Sequence, residues 1–265
     1  MSANRHYTTY PEFGPNADLL DPEELPTWVI ENNDDVLAID KPGWVVCHPS
    51  KNGPWSSLVG ACREWTGLQT LHLIARLDRE TSGVILLAKH KAAARKLQIA
   101  FQDRAVDKVY HAILEGEMTE DVSVDQRLAK DLESPVAAKV TVRRSNSSQR
   151  AITHFKPLVA QHGFTLAEVK LETGRKHQIR AHAEWLGHRV VGDKIYGPDS
   201  TLFLDFIEHG WTDRLQANLP MRRQALHCTE LTFADGLTFR APMAWDMQQF
   251  ARERLQLTDL PASCV

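Results

Sequence analysis

The chain of 265 residues lacks several features that would assign it to a class at once. Its four cysteines (Cys47, Cys62, Cys228 and Cys264) form no Cys-x-x-Cys pair, and its twelve histidines form no His-Glu-x-x-His motif. These absences argue against a disulfide framework and a metal site. No apolar run approaches the roughly 20 residues that span a bilayer. The N-terminus lacks the basic-then-apolar pattern of a secretory signal. We therefore expect a cytoplasmic protein with reduced thiols, no metal and no membrane contact.

The negative charge is concentrated at one end of the chain. The formal net charge is −3, and residues 1–40 carry nine acids against one base, Arg5. That segment therefore has a charge of −8, and the remaining residues carry +5. A mildly basic body permits contact with phosphate groups but does not establish it.

Short apolar runs separated by turn residues predict a strand-rich α+β protein. Residues 1–27, rich in proline and acids, are expected to form an irregular extension, and residues 251–265 a polar tail. The predicted elements are hairpins over 28–39 and 226–241, the second turning at Asp235-Gly236, strands over 44–47, 84–88, 106–116 and 164–171, and helices over 89–104 and 173–186.

The string HLIARLDRETSGVILLAK (residues 72–89) places a carboxylate on a turn between two apolar runs. Asp78 lies close to Arg76 and Arg79, and the hydroxyls of Thr81 and Ser82 can hold a turn through local hydrogen bonds. Nearby positive charge favours an ionised carboxylate, which suits a nucleophile or a base. Taken alone, an Arg-Leu-Asp string in a loop is more often a surface ion pair than a catalytic site.

Two further segments carry polar groups suited to binding. Tyr110 lies in an apolar strand, DKVYHAILEG, where a core tyrosine is the alternative interpretation. In LETGRKHQIRAHAEWLG (171–187), Arg175, Lys176 and His177 are predicted in the first turn of a helix, with Lys176 and Arg180 on one face. Cations are unfavourable at a helix N-terminus, which indicates an anionic partner. A solvated helix face is the alternative.

Together these groups would suit an anionic substrate that contains a ring. The sequence offers no glycine-rich phosphate loop and no metal-ligand set, so we expect chemistry without a cofactor. The residues alone do not name a reaction.

Six strings, in order, resemble the motifs of the RluA-type RNA pseudouridine synthases. The resemblance spans residues 28 to about 247, and the strings are IDKPGWVVCHPS (39–50), IARLDRETSGVILLAK (74–89), DKVYHAILEG (107–116), ETGRKHQIRAH (172–182), GDKIYG (192–197) and RRQALHCTELTF (222–233). It implies one α+β catalytic domain over 28–250, built on a long, largely antiparallel, bent β-sheet flanked by helices and loops, with a central cleft.

The resemblance also implies a reaction and assigns roles to residues. Such an enzyme isomerises uridine in structured RNA, a ribosomal or transfer RNA stem-loop, without a cofactor. Asp78 would act at the ribose, either attacking the anomeric carbon or removing the 2′ hydrogen. Tyr110 would stack on the uracil, Arg180 would pair with Asp78, and Arg76 would fill the gap left by the flipped nucleotide. The RNA-binding set is predicted to comprise Arg76, Arg79, Arg175, Lys176 and His177.

One position departs from the family pattern, since Ala75 stands where histidine is usual. Two other functions are considered. A catalytically inactive RNA-binding protein on the same scaffold would have no chemical need of the catalytic residues. An aspartate-dependent hydrolase would need a second carboxylate about 5–9.5 Å from Asp78, for which Glu80 is the nearest candidate in sequence. The sequence leaves the modified uridine and the oligomeric state open.

Overall fold

A computed structural model describes residues 19–48 and 53–265. Most of the predicted N-terminal extension and the last two residues of the IDKPGWVVCHPS string lie outside these ranges. In the described residues the strands are β1 (Val29–Asn32), β2 (Val36–Lys41), β3 (His72–Leu73), β4 (Ser82–Ala88), β5 (Val106–Glu115), β6 (Val122–Asp125), β7 (Leu128–Lys130), β8 (Val140–Val142), β9 (Ile152–Gln161), β10 (Phe164–Leu171), β11 (Leu226–Phe233) and β12 (Thr238–Arg240). The α-helices are α1 (Leu58–Thr66), α2 (Lys91–Gln102), α3 (Gln178–Trp185), α4 (Thr201–His209), α5 (Asp213–Asn218) and α6 (Trp245–Arg254).

The described chain forms two compact units. The first contains the residues up to Asp107 together with Cys228–Trp245. Its strands follow the order β1-β2-β4-β11, with β3 on β4 and β12 on β11. A hydrophobic cluster joins alternate residues of β2 and β4, such as Ile39 and Ile85, to Leu58 of α1. Strand β4 is buried along its whole length, as expected for its uninterrupted apolar run.

The second unit contains Lys108–His227 and Asp246–Val265. Its main strands follow the order β5-β10-β9-β6, and each neighbouring pair is antiparallel. Strands β7 and β8 form a separate antiparallel pair. A second hydrophobic cluster, which includes Leu128 of β7, Ala181 of α3 and Tyr196, packs that pair against the helix.

Most of the predicted elements are confirmed. Strand β10 has the predicted bounds, and both predicted hairpins form antiparallel pairs, β1 with β2 and β11 with β12. Helix α2 begins at a His90 cap, where Nδ1 accepts the N–H of Ala93 at 3.2 Å. The mixed α+β class with a largely antiparallel sheet and flanking helices is confirmed. The single catalytic domain over 28–250, the bend of the sheet and the central cleft stay predictions.

The predicted strand over Trp44–Cys47 is wrong. Trp44 has a φ of 76°, which an extended strand does not allow. The carbonyl groups of Val46 and Cys47 accept the N–H groups of Leu58 and Val59 at 2.8 and 3.2 Å, at the start of α1. The segment therefore satisfies the open N-terminus of a helix instead of pairing with a strand.

Other elements were not predicted from the sequence, including β9, α1 and the helices after Asp193. Helix α6 runs across the predicted start of the tail, and Cys264 near the C-terminus is fully buried. None of the helices in the described ranges combines the length and apolar character that crossing a membrane requires.

Gly83 on β4 allows a close backbone approach that a side chain would block. It has a φ of +107°, and a Cβ atom there would lie 2.1 Å from the carbonyl oxygen of Cys228. We expect Gly83→Ala to lower the free energy of unfolding by about 2–5 kcal/mol, from backbone strain and overpacking together. Gly67 at the end of α1 also has positive φ (+70°) but no atom within 4 Å, so Gly67→Ala should cost only about 1–2 kcal/mol. Equal losses in denaturant unfolding of the two variants would contradict the packing argument.

Candidate active site

Asp78 lies in a turn that leads from β3 into β4 within the first unit. Its carbonyl oxygen accepts the N–H of Thr81 at 3.1 Å, and its side chain is half-buried. Thr81 and Ser82, which follow the turn, are 2% and 1% exposed. The predicted turn is therefore confirmed, and it holds a carboxylate at the entry to a fully buried strand.

The two arginines near Asp78 differ in environment. Arg76 is exposed, whereas Arg79 is half-buried and its Nε donates to the carbonyl oxygen of Trp44 at 3.1 Å. Burial lowers the pKa of Arg79, and the nearby charge of Glu80 offsets part of that effect. Arg79 thus has a structural contact with Trp44. Its contact with RNA stays a prediction.

Tyr110 lies in β5 of the second unit, opposite Val169 of β10, and is half-buried. Successive side chains of a strand point to opposite faces, so the next residue, His111, points away from Tyr110. His111 is fully buried, with Nε2 at 3.7 Å from the Sγ atom of Cys264. Burial lowers the pKa of His111 to about 4, partly opposed by the charge of Glu168. His111 is therefore uncharged near neutral pH.

Arg180 is held by a buried carboxylate that the sequence analysis did not identify as its partner. Its Nε and Nη2 atoms donate to the two carboxylate oxygens of Asp193 at 2.6 and 2.8 Å. The side chains of Arg180 and Asp193 are 6% and 0% exposed. The guanidinium also lies 5.0 Å from the ring centroid of Tyr196. A bidentate pair fixes the plane of the guanidinium as well as its position.

Asp193 is a structural anchor because its oxygens accept several donors. Burial would raise its pKa, but the charge and hydrogen bonds of Arg180, with the N–H groups of Tyr196 and Ile195, lower it below its ordinary value. Asp193 belongs to the GDKIYG string, whose sequence alone predicts no role for this residue. No spacing rule links it to Arg180, because Gly187 ends α3 between them.

The predicted start of α3 is wrong. The helix begins at Gln178 instead of near Gly174, so Arg175, Lys176 and His177 precede it and Lys176 shares no helical face with Arg180. Two local features explain this difference. His177 has a φ of 52°, and the Gln178 Oε1 atom accepts the Thr173 hydroxyl and the Arg175 N–H at 2.7 and 3.0 Å. The three cations therefore do not occupy the first turn of α3 as predicted, although His177 lies at its N-cap.

Gln178 also connects α3 to the main sheet. Its Nε2 atom donates to the Ile152 carbonyl at 2.8 Å and to the Thr153 hydroxyl at 2.9 Å. His182, one turn along the helix, lies 2.8 Å from the same hydroxyl through Nδ1. Burial lowers the pKa of His182, partly opposed by its hydrogen bond with the Gln126 carbonyl and the charge of Asp125. This buried network fixes the helix that carries Arg180 against β9.

The three cations before α3 lie in different environments. Arg175 is exposed, and its Nε donates to the carbonyl oxygen of Arg150 at 3.1 Å. Lys176 is also exposed, while His177 is half-buried with Nδ1 at 3.1 Å from the Tyr196 hydroxyl. In residues 19–48 and 53–265 no group of three or more His, Cys, Asp or Glu side chains is arranged to hold a metal. The expectation of metal-free and cofactor-free chemistry stays a prediction.

Comparison with known proteins identifies the class of enzyme to which the chain belongs. Residues 35–185 match the sequence profile of the RNA pseudouridylate synthases, which are isomerases. The chain belongs to this family, and its relatives identify it as an RluA-type pseudouridine synthase. The predicted family and enzyme class are confirmed.

Several related proteins align with most of the chain. An uncharacterized RNA pseudouridine synthase of Bacillus subtilis, YjbO, is 32% identical over 240 residues, which cover 87% of this chain and 77% of that protein. A ribosomal large subunit pseudouridine synthase D of Vibrio vulnificus is 33% identical over 238 residues, covering 85% and 70%. The structure of human RNA pseudouridylate synthase domain containing 4 aligns with a TM-score of 0.70 at 24% identity, covering 91% and 97%. That likeness confirms the fold.

The buried Arg180–Asp193 pair predicts a large loss of stability when one partner is removed. We expect Asp193→Asn to lower the free energy of unfolding by about 3–5 kcal/mol, because the Arg180 charge would stay buried without its counter-charge. The control is Asp125→Asn, which breaks an exposed pair with Arg150 (2.9 Å) and should leave thermal unfolding close to that of the wild type. Similar melting temperatures for the Asp193 variant and the wild type would contradict the assignment.

Proposed function

We propose that this pseudouridine synthase isomerises uridines in structured RNA, with Asp78 as the carboxylate that acts at the ribose. The observation that carries the proposal is the ordered turn that presents Asp78 at the entry to β4, since the family motif containing this aspartate matches there. The names of several relatives refer to the large ribosomal subunit, which favours ribosomal over transfer RNA as the substrate. Asp78 either attacks the anomeric carbon or removes the 2′ hydrogen.

Arg180 is assigned to the same site as the partner of Asp78. The pair with Asp193 engages the Nε and Nη2 atoms and fixes the plane of the guanidinium. The positive charge would keep Asp78 ionised, as a nucleophile or base requires. Asp193 would then act as the anchor that keeps the guanidinium in a fixed orientation.

Tyr110 is assigned to stack on the uracil. Arg76 is assigned to fill the gap that the flipped nucleotide leaves in the RNA stack. The bond between ribose and base cannot be reached inside a helical stack, and extruding the nucleotide costs a few kcal/mol. A half-buried tyrosine offers a face on which the uracil can stack. The exposed guanidinium of Arg76 can stack on the bases that lose their neighbour.

Arg175 and Lys176 are proposed to contact RNA phosphates, with Arg79 and His177 as further members of the RNA-binding set. The hydrogen bond from Arg175 to the Arg150 backbone places another exposed arginine residue beside them. The Arg150 charge is shared with Asp125. A group of exposed cations beside the segment that precedes α3 supports a role in holding the RNA backbone.

Activity is predicted to depend on Asp78 and not on its neighbour Glu80. We expect cells lacking this gene to lose pseudouridine at one or a few RNA sites, restored by the wild type and by Glu80→Gln but not by Asp78→Asn. The reason is that only Asp78 matches the family's catalytic carboxylate. Site-resolved pseudouridine mapping of total RNA makes the measurement and also identifies the substrate.

The other outcomes would replace the proposal. Restoration by Asp78→Asn would remove Asp78 from the chemistry. Equal failure of the Glu80 variant would favour a mechanism with two carboxylates. A lost site in transfer RNA alone would retain the catalytic assignment and change the substrate.

The cations before α3 predict a salt-dependent contribution to RNA affinity. We expect Lys176→Gln to weaken binding several-fold and to reduce the slope of log affinity against log salt by about 0.7–0.9, the value for one lost phosphate contact. Lys96, on α2, is the control, because it is an exposed lysine (76% side-chain exposure) outside the predicted RNA-binding set. Lys96→Gln should leave the slope unchanged in a filter-binding or fluorescence titration. A slope that is the same for Lys176→Gln and the wild type would contradict the assignment.

A further inference from the structure

The backbone on both sides of Asp78 is held by side chains of the segment 41–47, which does not itself belong to the proposed catalytic set. We propose that Cys47 and Lys41 are positioning residues for Asp78. This inference rests on the proposed function, because positioning matters only if Asp78 is the reacting carboxylate.

Cys47 holds the residue before Asp78. Its Sγ atom donates to the carbonyl oxygen of Leu77 at 3.3 Å, and the residue is 4% exposed. Cys47 belongs to the main hydrophobic cluster of the first unit, and the Leu77 side chain packs against the same cluster. A thiol is a weak donor, so its hydrogen bond selects an orientation of the Leu77 carbonyl more than it stabilises the fold.

Lys41 holds the residue after Asp78. Its side chain is fully buried, and its Nζ atom donates to the carbonyl oxygens of Pro42, Val45 and Arg79 at 2.9, 3.1 and 3.1 Å. A lysine ammonium has three N–H donors, which equals the number of these carbonyl partners. The buried charge thus ties the turn that follows β2 to the turn that contains Asp78.

Three consecutive carbonyl groups are therefore fixed. Leu77 accepts from Cys47, Asp78 accepts from the Thr81 N–H, and Arg79 accepts from Lys41. Peptide groups are planar, so fixing the carbonyls on both sides of a residue fixes its φ and ψ angles. The Cα–Cβ direction of Asp78 follows from those angles. Catalysis by a positioned carboxylate is sensitive to displacement, since about 1 Å can cost a factor of roughly 100 in rate.

The segment 41–47 is itself anchored. Its last two carbonyls accept N–H groups at the start of α1, and Arg79 donates to the Trp44 carbonyl. Trp44 is 7% exposed and has a left-handed φ of 76°, which is rare for a bulky residue. Strained backbone of this kind persists where the surrounding contacts over-determine it. The contacts run in both directions, so the two turns fix each other.

The test uses the two cysteines of one hydrophobic cluster. Cys47→Ala removes the donor to Leu77, Cys47→Ser keeps a donor, and Cys62→Ala removes a thiol that is 0% exposed on α1 in the same cluster. Turnover is measured on the RNA identified by the mapping experiment. We expect Cys47→Ala to lower kcat about ten-fold with unchanged KM, Cys47→Ser to recover part of the loss, and Cys62→Ala to retain the wild-type kcat. A kcat for Cys47→Ala equal to that of Cys62→Ala, or a change in KM alone, would overturn the proposal.

A second measurement does not depend on activity. Hydrogen–deuterium exchange of a peptide covering residues 77–81 reports the amide of Thr81, which is bonded to the Asp78 carbonyl. We expect the Thr81 amide to exchange faster in Cys47→Ala and in Lys41→Met. Exchange in Cys62→Ala should equal that of the wild type. Unchanged exchange in Cys47→Ala would overturn the proposal even if Lys41→Met failed to fold. A wild type inactive on every RNA would refute the proposed function, while exchange would still decide whether Cys47 holds the turn.

Discussion

The hydrogen bonding of partly buried backbone carbonyls is the constraint on which the proposed site depends. The turn that carries Asp78 leaves the regular ladder between β3 and β4, so its carbonyl groups need donors from elsewhere. The side chains of Cys47 and Lys41, in the segment 41–47, supply two of these donors. The Thr81 amide supplies a third. The requirement to satisfy polar groups thus determines where the proposed catalytic carboxylate stands. The same set of contacts stabilises the left-handed backbone conformation of Trp44.

A similar principle applies to Arg180 in the second unit. Burying a guanidinium is unfavourable unless a carboxylate and further hydrogen bonds compensate for the lost water. Asp193 supplies the carboxylate, and backbone N–H groups that follow it supply further donors to that carboxylate. The network of Gln178 and Thr153 then fixes α3 against β9. Rigid support of this kind is what the role proposed for Arg180 requires, because its directional donors act only when the guanidinium plane is fixed.

The sequence predicted the elements whose pattern is local. The apolar run of β4, the Asp235-Gly236 hairpin and the glycine stop after α3 each follow from short-range chemistry, and each is confirmed. The errors occurred where side-chain hydrogen bonds that the apolar pattern does not reveal decide the backbone. An apolar tetrad at Trp44–Cys47 resembled a strand, but Arg79, Lys41 and the α1 N-terminus use its carbonyls. The start of α3 was misplaced because a Gln178 side chain closes a turn before the helix.

The candidate site was predictable to the same degree. The family motifs predicted Asp78, Tyr110 and Arg180 as site residues, and the chemistry of each residue type was readable from its neighbours. Their supporting residues were not, since Asp193 and Cys47 act through contacts that no spacing rule connects to Arg180 or Leu77. Physical support for a site depends on three-dimensional packing, whereas the reacting groups carry a recognisable pattern in the chain.

Purified protein acting on RNA that carries tritium at carbon 5 of uridine tests the central claim most directly. Isomerisation rejoins the base through that carbon and releases its hydrogen, so tritium release measures chemistry separately from binding. The account predicts that Asp78→Asn binds the RNA with an affinity close to that of the wild type and releases no tritium above background. Tritium release by Asp78→Asn at a rate comparable to that of the wild type would contradict the assignment of Asp78 as the catalytic carboxylate.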